Sequence, residues 1–255
     1  METTPPPPTS SDPAAGRTRR RRGPAKGSSQ STEHAFLDAA ERIFGTSGYD
    51  GATVRAIAEA AGANLGALHY YWGSKEALFR AMCERRLRPV AELRLQRLEA
   101  CVADAGGRTP PLQAVLQAAI EPALLHADES PELREVMRKL LARILSDPSA
   151  EVRQVLSDIF DEASFRYVRL LRQCCPHLDD NSFYWRLHGV LGTTQHASAG
   201  VERLARLSQG KFDGNNVQQG TRELVHMLQA LLMAPPLAAE PAIAASARRR
   251  SKPAP

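Results

Sequence analysis

The chain has 255 residues, of which 43% are hydrophobic, and it carries a formal net charge of +5. This length supports one large or two modest domains with a substantial core, and no apolar run is long enough to cross a bilayer. The first residues also lack the apolar segment of a secretory signal, so we expect a cytoplasmic protein.

The positive charge lies in the two tails. Residues 1–30 carry +4 and residues 235–255 carry +3, which leaves −2 for residues 31–234. Binding to nucleic acid is therefore not implied by the overall basic character and needs evidence from a specific motif.

Residues 1–30 contain few apolar side chains and are predicted to be a disordered arm. Their basic cluster, Arg17, Arg19 to Arg22 and Lys26, lies directly before the first predicted helix. Such an arm either enters a minor groove and follows phosphates or only aids solubility, and the sequence favours neither. The Ala- and Pro-rich tail at residues 235–255 is predicted to be disordered and without function.

Residues 53–75, TVRAIAEAAGANLGALHYYWGSK, are typical of a helix, a three-residue turn centred on Gly62 and a short helix rich in aromatic residues. Ile57 and Ala58 share one face of the first helix, and Leu68 and Trp72 share one face of the second. Both faces can be buried against a common partner. The pattern favours a helix-turn-helix that reads DNA over an ordinary helical hairpin.

Polar side chains on the second helix are predicted to point away from that core. Asn64, His69, Tyr70 and Tyr71 end in groups that can bond to phosphates and base edges in a major groove. Thr53 stands where the hydroxyl of an N-cap belongs.

Ser74 is predicted to cap the helix that follows. Lys75 then lies at a helix terminus whose amides favour an anion.

The stretch from Ala35 to Phe79 resembles the N-terminal domain of TetR-type transcriptional regulators. The resemblance rests on an apolar stripe in the first helix, the Gly48-Tyr49 turn, Thr53, the Ile57-Ala58 pair, Gly62, the aromatic run and the Gly-Ser-Lys-Glu start of the next helix. The stripe is formed by Phe36, Ala39, Ala40, Ile43 and Phe44.

The resemblance implies two groups of DNA contacts. The positions that touch phosphate or orient the recognition helix are Thr53, Asn64, Tyr70 and Lys75. The positions nearest to base edges are Leu65, Gly66, Ala67, His69 and Tyr71, and Arg55 is a further expected contact. His69, Tyr71 and Trp72 depart from the residues usual in the family, so the preferred bases cannot be transferred from a relative.

The chain after Phe79 is predicted to be helical as far as residue 234. Proline residues and apolar periodicity divide it into six segments. They cover residues 74–103, bent or split at Pro89; residues 110–127, kinked at Pro122; residues 131–145; a long helix from Asp147-Pro148 through Leu171; residues 181–207; and residues 216–233.

The last two segments, residues 181–207 and 216–233, keep apolar stripes that one chain does not cover. A second copy can cover them in a four-helix interface, as the resemblance implies, whereas a monomeric helical core is the alternative. A dimer places two reading helices ~34 Å apart, which matches successive major grooves of a palindrome.

The larger domain is expected to bind a small-molecule effector, because TetR-type proteins usually do so there. Its residues 138–232 are loosely similar to a fatty-acid-responsive branch, which implies an apolar or acyl-type effector with Arg138 or His188 near an anionic head. Plain core packing is the alternative for each of these side chains. The expected lining is Met137, Arg138, Leu141, Phe160, Tyr167, Trp185 and His188.

The sequence contains no nucleophile elbow, HExxH motif or glycine-rich loop after a strand, so we expect no enzyme, and the cysteines lack the spacing of a zinc site. No cofactor, metal or membrane partner is expected. We therefore predict an all-α fold with a three-helix DNA-binding domain at residues 31–78 and a helical effector-binding and dimerisation domain at residues 79–234. A constitutive DNA-binding or architectural protein without an effector is the remaining alternative.

Overall fold

The structure is a computed structural model that describes residues 26–124, 130–199, 202–214 and 216–236. Every regular element in these ranges is a helix, which confirms the predicted all-α fold. None of the described helices is long and apolar enough to span a membrane. In chain order the helices are α1 (Lys26–Gly51), α2 (Val54–Ala60), α3 (Leu65–Trp72), α4 (Lys75–Asp104), α5 (Leu112–Leu124), α6 (Pro131–Ile144), α7 (Ala150–Cys174), α8 (Asp180–Ala199), α9 (Glu202–Leu207) and α10 (Val217–Met233).

Helices α1, α2 and α3 form an N-terminal head around a core of aromatic and small side chains. Phe44 and Phe79 are fully buried, and the ring of Phe79 lies edge-on to those of Phe44 and Tyr49 at centroid distances of 5.0 Å. The predicted stripe of α1 is buried, except that Ile43 is only half-buried. Apolar burial on this face therefore holds the head together.

Helix α1 begins within the segment that we predicted to be disordered. It starts at Lys26, so residues 26–30 are helical. Extending a helix beyond a buried stripe requires no new nucleus, which accounts for the difference. The arginine cluster at residues 17–22 and the tail from residue 237 onward lie outside the described residues.

Helix α4 runs from the head into the body and is not split at Pro89, contrary to one of the two predicted alternatives. Leu87 before the proline and Ala91 after it are both buried, so packing holds the two halves in line despite the missing N–H. In α5, Pro122 lies inside the helix and is buried. The predicted extension of α5 beyond Leu124 falls outside the described residues.

One later boundary differs from the prediction. Helix α7 starts at Ala150 because the carboxylate of Asp147 accepts bonds from the N–H and the hydroxyl of Ser149, which makes Asp147 part of the turn. Of the predicted helix at residues 181–207, the structure describes α8 and α9, and residues 200 and 201 between them lie outside the described ranges.

The head and the body share one packed core. A first cluster of buried side chains joins α1, α2 and α3 to the start of α4, to α6 and to the start of α7. A second cluster joins the rest of α4 and α7 to α5, α8 and α10. Helices α1 and α6 approach each other closely at Gly45, where a Cβ atom would lie 3.3 Å from the backbone nitrogen of Leu140.

The main chain at Tyr49 is held from both sides at this junction. Its N–H donates to the carboxylate of Asp147 in the body at 3.1 Å. Its carbonyl accepts a bond of 3.1 Å from the ammonium of Lys75 at the start of α4. The end of α1 is thereby fixed to the turn between α6 and α7.

A buried ion cluster also joins α1 to α4. The side chain of Glu41 is only 2% exposed and accepts bonds from Arg85 and from Arg86, whose Nε lies 2.7 Å from Oε1. Arg85 also contacts Asp38 at 2.8 Å. Since an unpaired charge is costly to bury, the two helices are held in one register at this level.

We predict that Glu41→Gln lowers the free energy of unfolding by ~3 kcal/mol, because it removes the buried negative charge that two partly buried guanidinium groups share. Urea denaturation of the full chain measures the change. The control is Glu84→Gln, which removes an exposed partner of Arg88 within α4 and is expected to cost only ~0.5 kcal/mol. Equal losses in the two variants would contradict the special role of Glu41.

Candidate nucleic-acid interface

The turn between α2 and α3 is closed by backbone bonds that require a glycine. Gly62 has φ +65°, and its N–H donates to the carbonyl of Glu59 at 3.0 Å. The N–H of Ala63 reaches back to the carbonyl of Ala58 at 2.9 Å. These two bonds form the Schellman arrangement that ends a helix on a left-handed residue. The role predicted for Gly62 is confirmed.

A polar side chain caps each of the helices α2, α3 and α4. The caps expected at Thr53 and Ser74 are confirmed, whereas that of Asn64 was missed because we expected its amide to face DNA. An asparagine directly before an apolar helical run is the signal that predicts such a cap. The backbone N–H groups of Ala56, Ala67 and Ala77 donate to the side-chain oxygens of Thr53, Asn64 and Ser74 at 3.1, 2.8 and 3.0 Å, respectively.

The inward face of α3 anchors the helix to the head. Leu68 is fully buried and Trp72 is half-buried, as the spacing predicted. Tyr71 also turns inward, because its ring lies 6.2 Å from that of Phe36 and is half-buried. The expectation that Tyr71 faces away from the core is wrong, since it lies close to Leu68 around the helix.

The outward face of α3 is formed by Leu65, Gly66, His69 and Tyr70, all of which are exposed. Leu65 and His69 are four residues apart, as are Gly66 and Tyr70, so the four positions lie on one side of the helix. Tyr70 is the most prominent of them, with 83% of its surface exposed. Ala67, another expected base contact, is half-buried at the edge of this face.

Thr53 and Arg55 flank α3 from the neighbouring helix. Both are exposed, Thr53 at the N-cap of α2 and Arg55 in its first turn.

The side chain of His69 has a defined hydrogen-bonding role. Its Nδ1 lies 3.1 Å from the carbonyl oxygen of Gly73. A carbonyl only accepts, so we assign the proton to Nδ1, which leaves Nε2 of the neutral ring as an acceptor. The exposed edge of this ring can therefore receive a bond from a donor in a groove.

Lys75 does not face outward as expected. Its ammonium donates to the carbonyls of Tyr49 at 3.1 Å and Ala52 at 3.5 Å, and it lies 4.4 Å from the centroid of the Tyr49 ring. The carbonyls near the end of α1 attract the ammonium of Lys75. This attraction decides where the side chain lies, although the first amides of α4 favour an anion. In the structure Lys75 therefore positions α4 against α1.

The residues expected to line one effector pocket do not come together. Met137 and Leu141 are buried in the first core cluster, whereas Tyr167 is buried in the second. Trp185 and His188 are exposed on α8, with their rings 6.2 Å apart. Helical spacing of large side chains marks a packed face without saying what covers it, so the assignment of all seven residues to one pocket is wrong.

Phe160 and Arg138 are the remaining two of the seven expected residues. Both are half-buried, Phe160 against the first cluster and Arg138 on α6.

A polar group inside the body was missed in the sequence. Arg94 of α4 donates from Nε to the carbonyl of Ala119 at 2.9 Å, and the hydroxyl of Tyr167 is buried with no hydrogen-bond partner. The available signal was a basic residue between the apolar positions Ala91 and Leu98 of α4. A charge on the buried stripe of a helix is unusual enough to indicate a specific role.

The cysteines are free thiols and the described residues hold no group of His, Cys, Asp or Glu side chains suited to a metal ion. Burial raises the pKa of Cys174 to about 11, and burial also raises the pKa of Cys175 above its ordinary value. At neutral pH these two thiols are therefore protonated, which disfavours thiolate chemistry.

We predict that Asn64→Ala destabilises the protein by ~1 kcal/mol and speeds amide exchange at Ala67, because the cap bond is lost. Asn64→Asp keeps an acceptor oxygen at the same place and is expected to retain both properties. Urea denaturation and hydrogen exchange measured by NMR provide the comparison. Loss of protection in the aspartate variant as large as in the alanine variant would rule out the cap as the cause.

Two family models match this chain. Residues 36–82 match the model of bacterial regulatory proteins of the tetR family. Residues 117–230 match the tetracyclin repressor-like C-terminal domain. The two matches together cover the head and most of the body.

Curated relatives are similar to part of the chain. A segment of 62 residues is 39% identical to the HTH-type transcriptional repressor AcnR of Corynebacterium efficiens, covering 24% of this chain and 33% of that protein. AcnR of Corynebacterium glutamicum is 38% identical over 63 residues, covering 25% of this chain and 34% of that protein. The chain thus spans about a third of the length of these relatives.

Solved structures share the fold over a longer stretch. NalD, the secondary repressor of the MexAB-OprM multidrug efflux pump in Pseudomonas aeruginosa, has a TM-score of 0.53 at 21% identity, over 80% of this chain and 98% of that one. The hemolysin II transcriptional regulator HlyIIR has a TM-score of 0.53 at 15% identity, over 78% of this chain and 97% of that one. With a head and a body that each match their own model, the chain belongs to the TetR family of bacterial regulatory proteins.

Proposed function

We propose that this chain is a cytoplasmic transcriptional repressor that binds a palindromic operator as a homodimer and is released by a small apolar or acyl-type effector. The observation that carries the proposal is the outward face of α3, which is held by caps and buried anchors and covered by no other part of the described chain. The curated relatives that match part of this chain are themselves named transcriptional repressors. We propose no catalytic activity.

Reading of DNA falls to the outward face of α3. A helix of this size fits a major groove, where each base pair presents its own pattern of donors and acceptors. The exposed hydroxyl of Tyr70 is suited to a phosphate, and Nε2 of His69 is suited to the amino group of adenine or cytosine. Thr53 and Arg55 are exposed at the start of α2 and are proposed as further contacts, with Asn64 at the start of α3.

Dimerisation falls to α8 and α10. These helices pack against each other closely, since a Cβ atom at Gly189 would lie 3.2 Å from the side chain of Leu231. Their outer faces keep large apolar side chains in contact with solvent, which is typical of a surface covered by another subunit. The exposed side chains are Tyr184, Trp185, Leu191, Met227, Leu231 and Met233.

Two copies of the chain contact more base pairs than one head does. A single short recognition helix reads too few base pairs to define an operator, whereas two heads ~34 Å apart read successive major grooves of one face of the duplex. A symmetric pairing of α8 and α10 with their copies forms a four-helix interface.

Release by an effector requires that the body moves the head. The close approach of Gly45 to Leu140 and the bond between Tyr49 and Asp147 connect α1 to α6 and to the turn after it. A shift in the body is therefore transmitted to α1 and to the spacing of the two heads. A coupling free energy of ~1–3 kcal/mol changes operator affinity from several-fold to about a hundredfold.

The proposal is tested by selecting bound duplexes from a random DNA pool with the full chain. We expect an inverted repeat with half-site centres about one helical turn apart. Enrichment of a single asymmetric site, or of no site, would contradict it. Operator binding that stays unchanged with acyl-CoAs, fatty acids and hydrophobic drugs would instead identify a constitutive DNA-binding protein.

We predict that Tyr70→Phe weakens binding to all duplexes alike by roughly tenfold, because a hydrogen bond to a charged phosphate is lost. Fluorescence anisotropy with random-sequence and selected duplexes measures this. Thr109→Val removes an exposed hydroxyl from the loop between α4 and α5, away from α3 and from the proposed interface, and serves as the control, with no expected change. A loss confined to the selected sequence would show that Tyr70 reads bases.

We predict that His69→Ala relaxes the preference for one base pair in each half-site by ~1–3 kcal/mol, because the acceptor Nε2 is removed. Repeating the selection with the variant measures the preference at every position. An unchanged base profile would remove His69 from the reading face.

We predict that Trp185→Glu converts the dimer to a monomer at micromolar concentration, because a charge is placed in an apolar interface. Analytical ultracentrifugation measures the mass. Phe165→Glu on α7 is the matched control, since 67% of Phe165 and 70% of Trp185 are exposed but Phe165 lies outside the proposed interface. If Trp185→Glu remains dimeric, or Phe165→Glu also dissociates, the interface lies elsewhere.

A further inference from the structure

The apolar core of the body is interrupted between its two clusters. Along α4, Ala91 belongs to the first cluster and Leu98 to the second, with Arg94 halfway between them. Along α7, Ile159 and Tyr167 are divided in the same way. The two helices pack against each other, so the interruption lies at one level of the body.

Arg94 occupies this level without an acidic partner. Its Nε donates to the carbonyl of Ala119, and its guanidinium carbon lies 5.7 Å from the centroid of the Phe160 ring. Among the described residues no carboxylate pairs with it, and its two terminal nitrogens donate to no acceptor. Burial lowers the pKa of Arg94, although part of its side chain still reaches solvent.

The hydroxyl of Tyr167 also lacks a partner within the described chain. The residue is 6% exposed. Burial raises the pKa of Tyr167 and the nearby charge of Arg94 lowers it, so the hydroxyl keeps its proton and remains a donor. Buried polar groups are normally paired. A buried donor without a partner, near a cation without a counter-ion, is therefore a suitable place for an anion.

We propose that Arg94 and Tyr167 form the head-group site of the effector, and that it takes the carboxylate of an organic acid. The inference rests on the proposed function, which it deepens by naming the class of effector. The terminal nitrogens of Arg94 donate to the carboxylate oxygens, and the Tyr167 hydroxyl donates to one of them. The ring of Phe160 and the flanking apolar clusters contact the body of the acid.

The charge balance favours a carboxylate over a phosphate. One guanidinium neutralises one negative charge, whereas a phosphate monoester with close to two charges would leave an excess in an apolar setting. This site also replaces the head-group residues expected from the sequence. His188 is exposed on α8, and Arg138 already has an interaction of its own.

Isothermal titration calorimetry of the full chain tests the site with acetate, hexanoate, decanoate and benzoate. Decanol, which has the same chain without the charge, is the control ligand for decanoate. We expect at least one of the longer acids to bind and decanol to bind at least tenfold more weakly, since the alcohol lacks the negative charge. Failure of every acid, or equal binding of decanol, would overturn the inference.

Variants then locate the head group. Arg94→Met is expected to weaken binding of the best acid by more than tenfold, and Tyr167→Phe by several-fold. Arg88→Met is the matched control on α4, because Arg88 pairs with Glu84 instead, and it should bind like the unchanged chain. Unchanged affinity in both Arg94→Met and Tyr167→Phe would overturn the assignment.

Tyr167→Phe separates a loss of acid binding from a loss of folding. The hydroxyl has no partner, so its removal should leave the melting temperature of the ligand-free protein unchanged or raise it, while the acid binds more weakly. A melting temperature that falls without ligand would show that the hydroxyl is already paired and would overturn its role as a free donor.

The calorimetry needs no DNA, so the two proposals fail separately. If no acid binds but the dimer still selects a palindrome, the carboxylate site falls and the proposed regulator stands. If no palindrome is selected, the proposed function falls whatever the calorimetry shows.

Discussion

A helix of eight residues has to be stabilised by its neighbours, and α3 is such a helix. The side chain of Asn64 closes its first turn, and the left-handed Gly62 delivers the chain to that cap. Leu68 is fully buried beneath it, and Tyr71 packs on Phe36 of α1. Because the inward face carries all of this anchoring, the outward face is free to meet DNA.

A small number of contacts also links the head to the body. Gly45 lets α1 approach the backbone of α6, and the carboxylate of Asp147 holds the N–H of Tyr49. Lys75 binds the carbonyl of Tyr49 from the start of α4. The end of α1 is therefore held by α4 and by the turn between α6 and α7. A regulator that answers to a ligand in its body needs a junction of this kind, with two packed arrangements available to it.

The sequence predicted the elements whose identity follows from local rules. The left-handed turn at Gly62 and the buried position of Leu68 follow from glycine geometry and helical spacing, and both are confirmed. The surroundings of side chains that are set by long-range packing could not be predicted from such local rules. The sequence does not show that the carbonyls of α1 will lie beside Lys75. Nor does periodicity distinguish the core position of Met137 from the exposed one of Trp185, because both are large apolar residues at helical spacing.

The claim that the outward face of α3 meets DNA is tested most directly by photo-crosslinking. A benzoylphenylalanine at position 70 replaces a tyrosine that is 83% exposed, and the same residue at position 165 replaces a phenylalanine that is 67% exposed on α7. With a selected duplex present, the account predicts a covalent protein–DNA product from position 70 and none from position 165. Crosslinking from position 165 alone, or equally from both, would contradict it.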